Sequence, residues 1–360
     1  MKGLLFRFLY ILVINAGIFA LLLVVIEGVG QVNYRVRHGV WLPVEQKGQA
    51  VFQYHPYLAA RPRAHVTFTS DGKTITTLAN ATRWTGAADP PGEAVRVAVF
   101  GGSSTFGTGV DDRDSWPALL QKELGPGYAV TNHGVPGYST AEAIIQLALL
   151  AREGAPRLVV FYEGWNDLRN YHVPAFGADY YWHGRSQLSN LDVHLFEGKP
   201  PLLQAAAEYL VTFRFVQKWG AKLFPAPQAA QEVYRTPDPE VDRIYLRNLT
   251  TLRVLAGHAG AAALFVPQVL NAEAYAGKKG SRWWTPFIED DALPGLMARF
   301  NRIMIDGACA AGQADCRVAA DVPDLPWAPL HFVDDGHLSA EGGRLLAQRV
   351  AAHLLSLSTR

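Results

Sequence analysis

Val95-Arg96-Val97-Ala98-Val99-Phe100-Gly101-Gly102-Ser103-Ser104-Thr105-Phe106-Gly107 sets the rhythm of the chain. A short, mostly apolar run breaks straight into glycine and serine, as a buried strand does where its carboxyl end opens into a loop. The same rhythm repeats downstream. Trp116–Leu124 has helical spacing with Asp114 or Ser115 placed to cap it, Tyr128–Asn132 reads as a second strand, and 141–151 as a helix. Residues 158–162 are continuously apolar, as expected of a strand covered on both faces. Residues 240–258 and 296–310 are helical, and 261–269 and 317–320 are strands. The last helix, 340–357, carries Leu346, Val350 and Leu354 on one stripe. Such alternation predicts an α/β fold, a parallel sheet with helices on both faces. Between Asp167 and about Thr236 it breaks into an insertion (about 168–236) rich in tyrosine, tryptophan and proline. That insertion follows a motif loop directly and is placed to cover or line a site.

Four loop motifs follow one another: the Gly101–Gly107 block quoted above, Asn132-His133-Gly134-Val135-Pro136-Gly137, Gly164-Trp165-Asn166-Asp167 and Asp334-Asp335-Gly336-His337. Acyl transfer needs what they jointly hold: a nucleophile, a base with its orienting carboxylate, and donors for an oxyanion. Ser103 is the candidate nucleophile, at the edge where open parallel sheets place ligands. His337 is the candidate base. Asp334, three residues earlier, can reach its ring nitrogen and hold the tautomer. Asp335 is the rival carboxylate, less comfortable at two residues' distance. The Ser103 and Gly137 backbone amides and the Asn166 side chain are the candidate oxyanion donors. Each has a plainer use when taken alone: Ser103 as a helix cap, His337 as a loop histidine, Gly137 as a turn residue after Pro136, Asn166 bonding its own loop.

Other patterns fail on detail. Gly137-Tyr138-Ser139-Thr140-Ala141 imitates a nucleophile elbow, but His133 to Pro136 separate it from the strand, and Ser139 is better placed as a helix cap. The first block lacks the Gly-Lys-Ser/Thr ending of a phosphate loop and the spacing of a dinucleotide fingerprint. Asp111-Asp112-Arg113-Asp114 lacks the glycine and distal glutamate of a calcium loop and reads as a solvated acidic turn. Tyr171, Tyr180, Tyr181 and Trp182, with Trp283 and Trp284, suit either sugar stacking or the packing of a lid.

The 360 residues carry a formal charge of +1, which gives no electrostatic reason to expect nucleic acid as a partner. Residues 8–26 contain only Asn15 as a strongly polar side chain. At roughly 28 Å of helix they suffice to cross a bilayer core. Gly28-Val29-Gly30, beside Glu27, is a poor cleavage site, so an uncleaved anchor is expected, with a signal peptide as the alternative. Lys2 and Arg7 precede the span while Arg35 and Arg37 follow it, so charge does not choose the orientation firmly. The usual fate of a short basic N-terminus is to stay inside, which exports the rest. Residues 1–30 are then the anchor, 31–93 a juxtamembrane segment and 94–360 the main domain. Within the segment, His65–Ser70 and Lys73–Leu78 alternate around Asp71-Gly72 as a β-hairpin, and Pro90-Pro91-Gly92 marks a boundary. Cys309 and Cys316 are expected to form one local bridge if this domain is exported.

The ordered motifs resemble those of the SGNH subgroup of GDSL esterases and acyltransferases, from about Val95 to Leu357. The family's first block reads Gly-Asp-Ser and places the nucleophile at Ser103. Its second-block glycine falls on Gly137, its Gly-x-Asn-Asp on Gly164, Asn166 and Asp167, and its Asp-x-x-His on Asp334 and His337. Gly102 stands where the family usually has aspartate, a position outside the triad. The resemblance implies a flavodoxin-like three-layer sandwich, no metal or organic cofactor, and an acylated small molecule or glycan as substrate. Membrane-anchored relatives often act on acyl groups of cell-surface polysaccharide, which implies an inner-membrane protein facing the periplasm. Hydrolysis and transfer to a glycan hydroxyl stay open here, as does a catalytically silent glycan-binding or assembly protein of an export complex.

Overall fold

In the computed structural model, residues 2–38, 41–42, 51–70, 72–87, 94–154, 156–174, 209–223 and 232–358 are described. The chain divides into two units, Met1–Lys47 with Phe196–Ala230, and Gly48–Leu195 with Gln231–Arg360. The first holds the helix Lys2–His38, long and apolar enough to cross a membrane, with a mean hydropathy of 2.8 in its most apolar window. It runs past the boundary expected at residue 30, because 31–38 contain neither the proline nor the glycine that would stop it. The same unit holds the helix Val211–Leu223 from the insertion.

The second unit opens with two hairpins. Strand β1 (Phe52–His55) pairs with β2 (Ala59–Pro62), and β3 (Thr67–Ser70) with β4 (Lys73–Thr76), Thr67 lying opposite Thr76. The second hairpin is the one the alternation predicts; Asp71 and the Pro90-Pro91-Gly92 boundary lie outside the described residues. Residues 31–93, expected as a separate segment, do not stand apart along their length. A two-stranded hairpin cannot bury its own apolar face. Phe52, Leu58 and Ala60 therefore share a buried cluster with Phe106 and Val135 of the motif loops and with Tyr138 just after the second.

The parallel sheet comprises β5 (Val95–Gly101), β6 (Tyr128–Asn132), β7 (Leu158–Glu163), β8 (Ala262–Pro267) and β9 (Cys316–Val318), in the order β6-β5-β7-β8-β9. Successive side chains of β5 alternate between faces. Val97 and Val99 join the core beneath helices Trp116–Leu124 and Ala340–Ser358. Ala98 and Phe100 join the one beneath Thr140–Gly154, Pro239–His258 and Leu293–Gly307. This is a flavodoxin-like α/β/α sandwich. The chain leaves β5 for β6 on one side and returns to β7 on the other, so a crevice opens at the carboxyl ends of β5 and β7. A disulfide joins Cys309 to Cys316 at the start of β9.

Candidate active site

Ser103 begins the short helix Ser103–Phe106 immediately beyond β5. Its Oγ lies 2.7 Å from His337 Nε2, and His337 Nδ1 lies 2.6 Å from Asp334 Oδ2. Asp334 Oδ1 accepts the amides of Gly336 and His337 at 2.9 and 2.8 Å. One carboxylate oxygen thus shapes the loop while the other holds the ring. Burial alone would raise the Asp334 carboxyl, but the His337 ring and the two amides together bring it down to about 2. Asp335 is turned to other work, since it pairs with Arg282, which also holds Asp290 at 2.9 Å.

Asn166 donates through Nδ2 to the Tyr138 carbonyl at 2.6 Å. A primary amide has two N–H groups, so one is left for a ligand. Gly102 packs closely under this bond: a Cβ built there would meet the Asn166 amide and stand 3.1 Å from the Tyr138 oxygen. Asp167 accepts the Thr140 amide at 3.2 Å and the Thr140 hydroxyl, which fastens the third motif to the first turn of helix Thr140–Gly154. Ser103, Gly137, Asn166, Asp334 and His337 line one cleft of about 730 Å³.

Other lining residues had no motif to reveal them: Lys278 and Arg282 join Trp165 of the third motif, Trp283 and Trp284 along the cleft. The buried Arg169 lies 4.0 Å from the centre of the Trp284 ring, and burial pushes its guanidinium down to about 10. Ser104 donates to the Gly336 carbonyl at 3.0 Å, tying the turn of Ser103 to the loop of His337. Arg83 is fully buried and donates to the carbonyls of Phe106 and Gly107, both at 2.6 Å, and of Val110 at 2.9 Å; it pairs with Asp112 at 3.0 Å.

The structure separates several candidates from the cleft. Tyr171 is in the core, bonded to Asp242 and edge-on to Phe300, because its ring is drawn under the helix Leu293–Gly307. It is not available to a sugar. Tyr180, Tyr181 and Trp182 lie outside the described residues. Ser139 is buried and donates to Glu142 at 2.7 Å, in a helix-capping arrangement. The acidic turn is not merely solvated, since Asp111 and Asp112 accept the amides of Thr74 and Thr76 at 3.1 Å each. His133 is half-buried and stacks on Phe100, and burial lowers it to about 4, which keeps the ring neutral.

Fold and site together describe a flavodoxin-like α/β protein with serine, histidine and aspartate in hydrogen-bond sequence at its switch point. The model of the GDSL-like lipase/acylhydrolase family matches residues 99–345, and the chain belongs to that family. The esterase TesA of Pseudomonas aeruginosa is 38% identical over 77 residues, 21% of this chain and 38% of TesA, so the match spans well under half of that relative. The crystal structure of TesA aligns at 18% identity over 73% of this chain and 99% of its own, with a TM-score of 0.41. A member of the lipolytic protein G-D-S-L family from Veillonella parvula aligns at 13% over 72% and 97%, with a TM-score of 0.40.

Proposed function

We propose that the protein is a serine esterase that forms an acyl-enzyme on Ser103 and acts on O-acyl groups of extracytoplasmic glycan. The observation that carries the chemistry is the unbroken chain Ser103 Oγ, His337, Asp334 at 2.7 and 2.6 Å, set in a cleft with Asn166 and Gly137. Ser103 Oγ attacks the ester carbonyl carbon while His337 Nε2 takes its proton, and Asp334 stabilises the resulting imidazolium. The negative charge on the former carbonyl oxygen is met by the Ser103 and Gly137 amides and the spare N–H of Asn166. As the tetrahedral adduct collapses, the C–O bond to the alcohol breaks and His337 returns the proton to the leaving oxygen. Water then attacks the acyl carbon while His337 takes one of its protons, and as this second adduct collapses the bond to Ser103 Oγ breaks, His337 returns the proton to Oγ and the acid leaves.

The glycan part of the reading rests on Trp283 and Trp284 beside the triad, since indole faces suit the apolar faces of sugar rings. The extracytoplasmic part rests on the apolar helix, read as an anchor, and on the disulfide. A fluorophosphonate probe followed by peptide mapping is the test. An adduct on Ser103, with acetate released from acetylated glycans, supports the esterase. A well-folded protein that takes no label is a silent binder. Acyl transfer to an added glycan hydroxyl, in preference to water, makes it a transferase with the same triad.

A further inference from the structure

Glu27 stands one residue beyond the apolar run 8–26, and its carboxylate is fully engaged. Oε1 accepts the Val211 amide at 2.9 Å, and Oε2 accepts the amide and hydroxyl of Thr212 at 2.8 and 2.6 Å. Gln31 reinforces the junction by donating to Glu27 at 2.6 Å and to the Tyr209 carbonyl at 2.9 Å. A carboxylate is thereby set on the first amides of helix Val211–Leu223, where the backbone donors lack intrahelical partners and negative charge is favoured. Gly30 lets the two helices approach, since a Cβ there would meet Val211 at 3.0 Å. Arg214 lies 5.7 Å from the centre of the Tyr34 ring. With 8–26 filling the hydrocarbon core, this junction falls at the depth of the lipid headgroups.

What the second helix exposes fits that depth. Phe215 and Val216 are 58% exposed and Trp219 52%, and the rings of Phe215 and Trp219 lie 5.7 Å apart. The helix sequence contains Arg214, Lys218 and Lys222 and no carboxylate, and Arg35 and Arg37 lie in the last turns of the first helix. Exposed apolar side chains that include a tryptophan, on a segment that is basic and free of acid, suit a layer with acyl chains on one side and anionic headgroups on the other. We propose that helix Val211–Leu223 is a second membrane contact. Its exposed apolar side chains enter the interface of an anionic bilayer, at a depth set by Glu27. This rests on 8–26 being a span and is independent of the esterase chemistry.

The test uses the full chain, reconstituted in phosphatidylcholine bilayers with and without phosphatidylglycerol, with its disulfide intact. Single spin labels are placed at F19C, F215C or W219C, and collision with oxygen is compared with collision with a water-soluble nickel chelate. The F19C label reports the span and should favour oxygen in both bilayers. F215C and W219C should also favour oxygen, more strongly with phosphatidylglycerol, and G30L should shift both toward the chelate. Each substitution removes one ring of the face, so the two labels are read together: F215C keeps Trp219 and W219C keeps Phe215. If F19C favours oxygen while F215C and W219C favour the chelate, the inference falls and the span stands. Labels on the second helix shielded from both probes would mean that protein covers it, which also overturns the inference. An F19C label that favours the chelate removes span and inference together.

Discussion

At the scale of single residues, the site turns on which of two neighbouring groups does the work. Asp334 holds the His337 ring while Asp335 is bound to Arg282. D334N should therefore lower kcat/KM on a soluble ester by about 10⁴-fold, and D335N by about tenfold or less. S103A should abolish turnover and labelling, while N166A should lose on the order of 10²- to 10³-fold in kcat. Steady-state kinetics on the four variants decides this, and equal losses at Asp334 and Asp335 would misplace the carboxylate. Because the Asp334 carboxyl is lowered to about 2, its stabilising contribution is complete above the ordinary carboxylate range and disappears as pH falls through about 2. The stability gap between wild type and D334N, followed by denaturant melts from pH 5 downward, should therefore close toward pH 2. These residues were legible because each sits in a local motif, where spacing alone brings Asp334 to His337. Arg282 and Lys278 were not. The Trp283-Trp284 pair marks the neighbourhood of Arg282, but no local pattern places either cation in a cleft that only the tertiary fold assembles.

At the scale of elements, the strands of the sheet could be read because burial on both faces leaves long apolar runs, and the helices because their stripes recur at helical spacing. The β1–β2 hairpin was hidden: four residues a side are too few for a period to emerge, and its burial against Phe106 and Tyr138 is a long-range fact. Arg83 was equally silent, a lone basic residue in a threonine-rich stretch. Yet it holds the last carbonyls of the Ser103 helix and the acidic turn in one network, so the β3–β4 hairpin and the segment after it buttress the nucleophile. Removing it leaves Asp112 and several carbonyls buried and short of a donor. R83M should cost about 3–5 kcal/mol in a urea melt, the usual penalty for one half of a buried ion pair. It should also lower kcat with little change in KM, since Arg83 acts through Phe106 and Gly107 rather than by touching substrate. An unchanged melt would show that water relieves these carbonyls and that the hairpin is not a brace.

At the scale of the whole molecule, the two units have different physical demands. The larger buries a sheet on both faces. The smaller presents an apolar helix with almost every described side chain exposed, an arrangement water does not tolerate over that length. The proposed anchor would resolve the contrast, and the disulfide is what supports the proposed export of the larger unit. Cys309 and Cys316 are bonded in the larger unit, and such bonds persist in oxidising compartments while cytosolic thiols are kept reduced. Closing a loop of this length is worth about 2–3 kcal/mol in the chain-entropy picture. In intact cells, both cysteines should therefore resist a maleimide reagent until a reductant is added, and the protein should remain with the membrane after alkaline carbonate extraction. The two readouts separate the two claims. Carbonate-resistant protein with free thiols would place the anchored domain on the reducing side. Disulfide-bonded protein released by carbonate, with an N-terminus near Gln31, would convert the helix into a signal peptide and leave the exported fold unchanged.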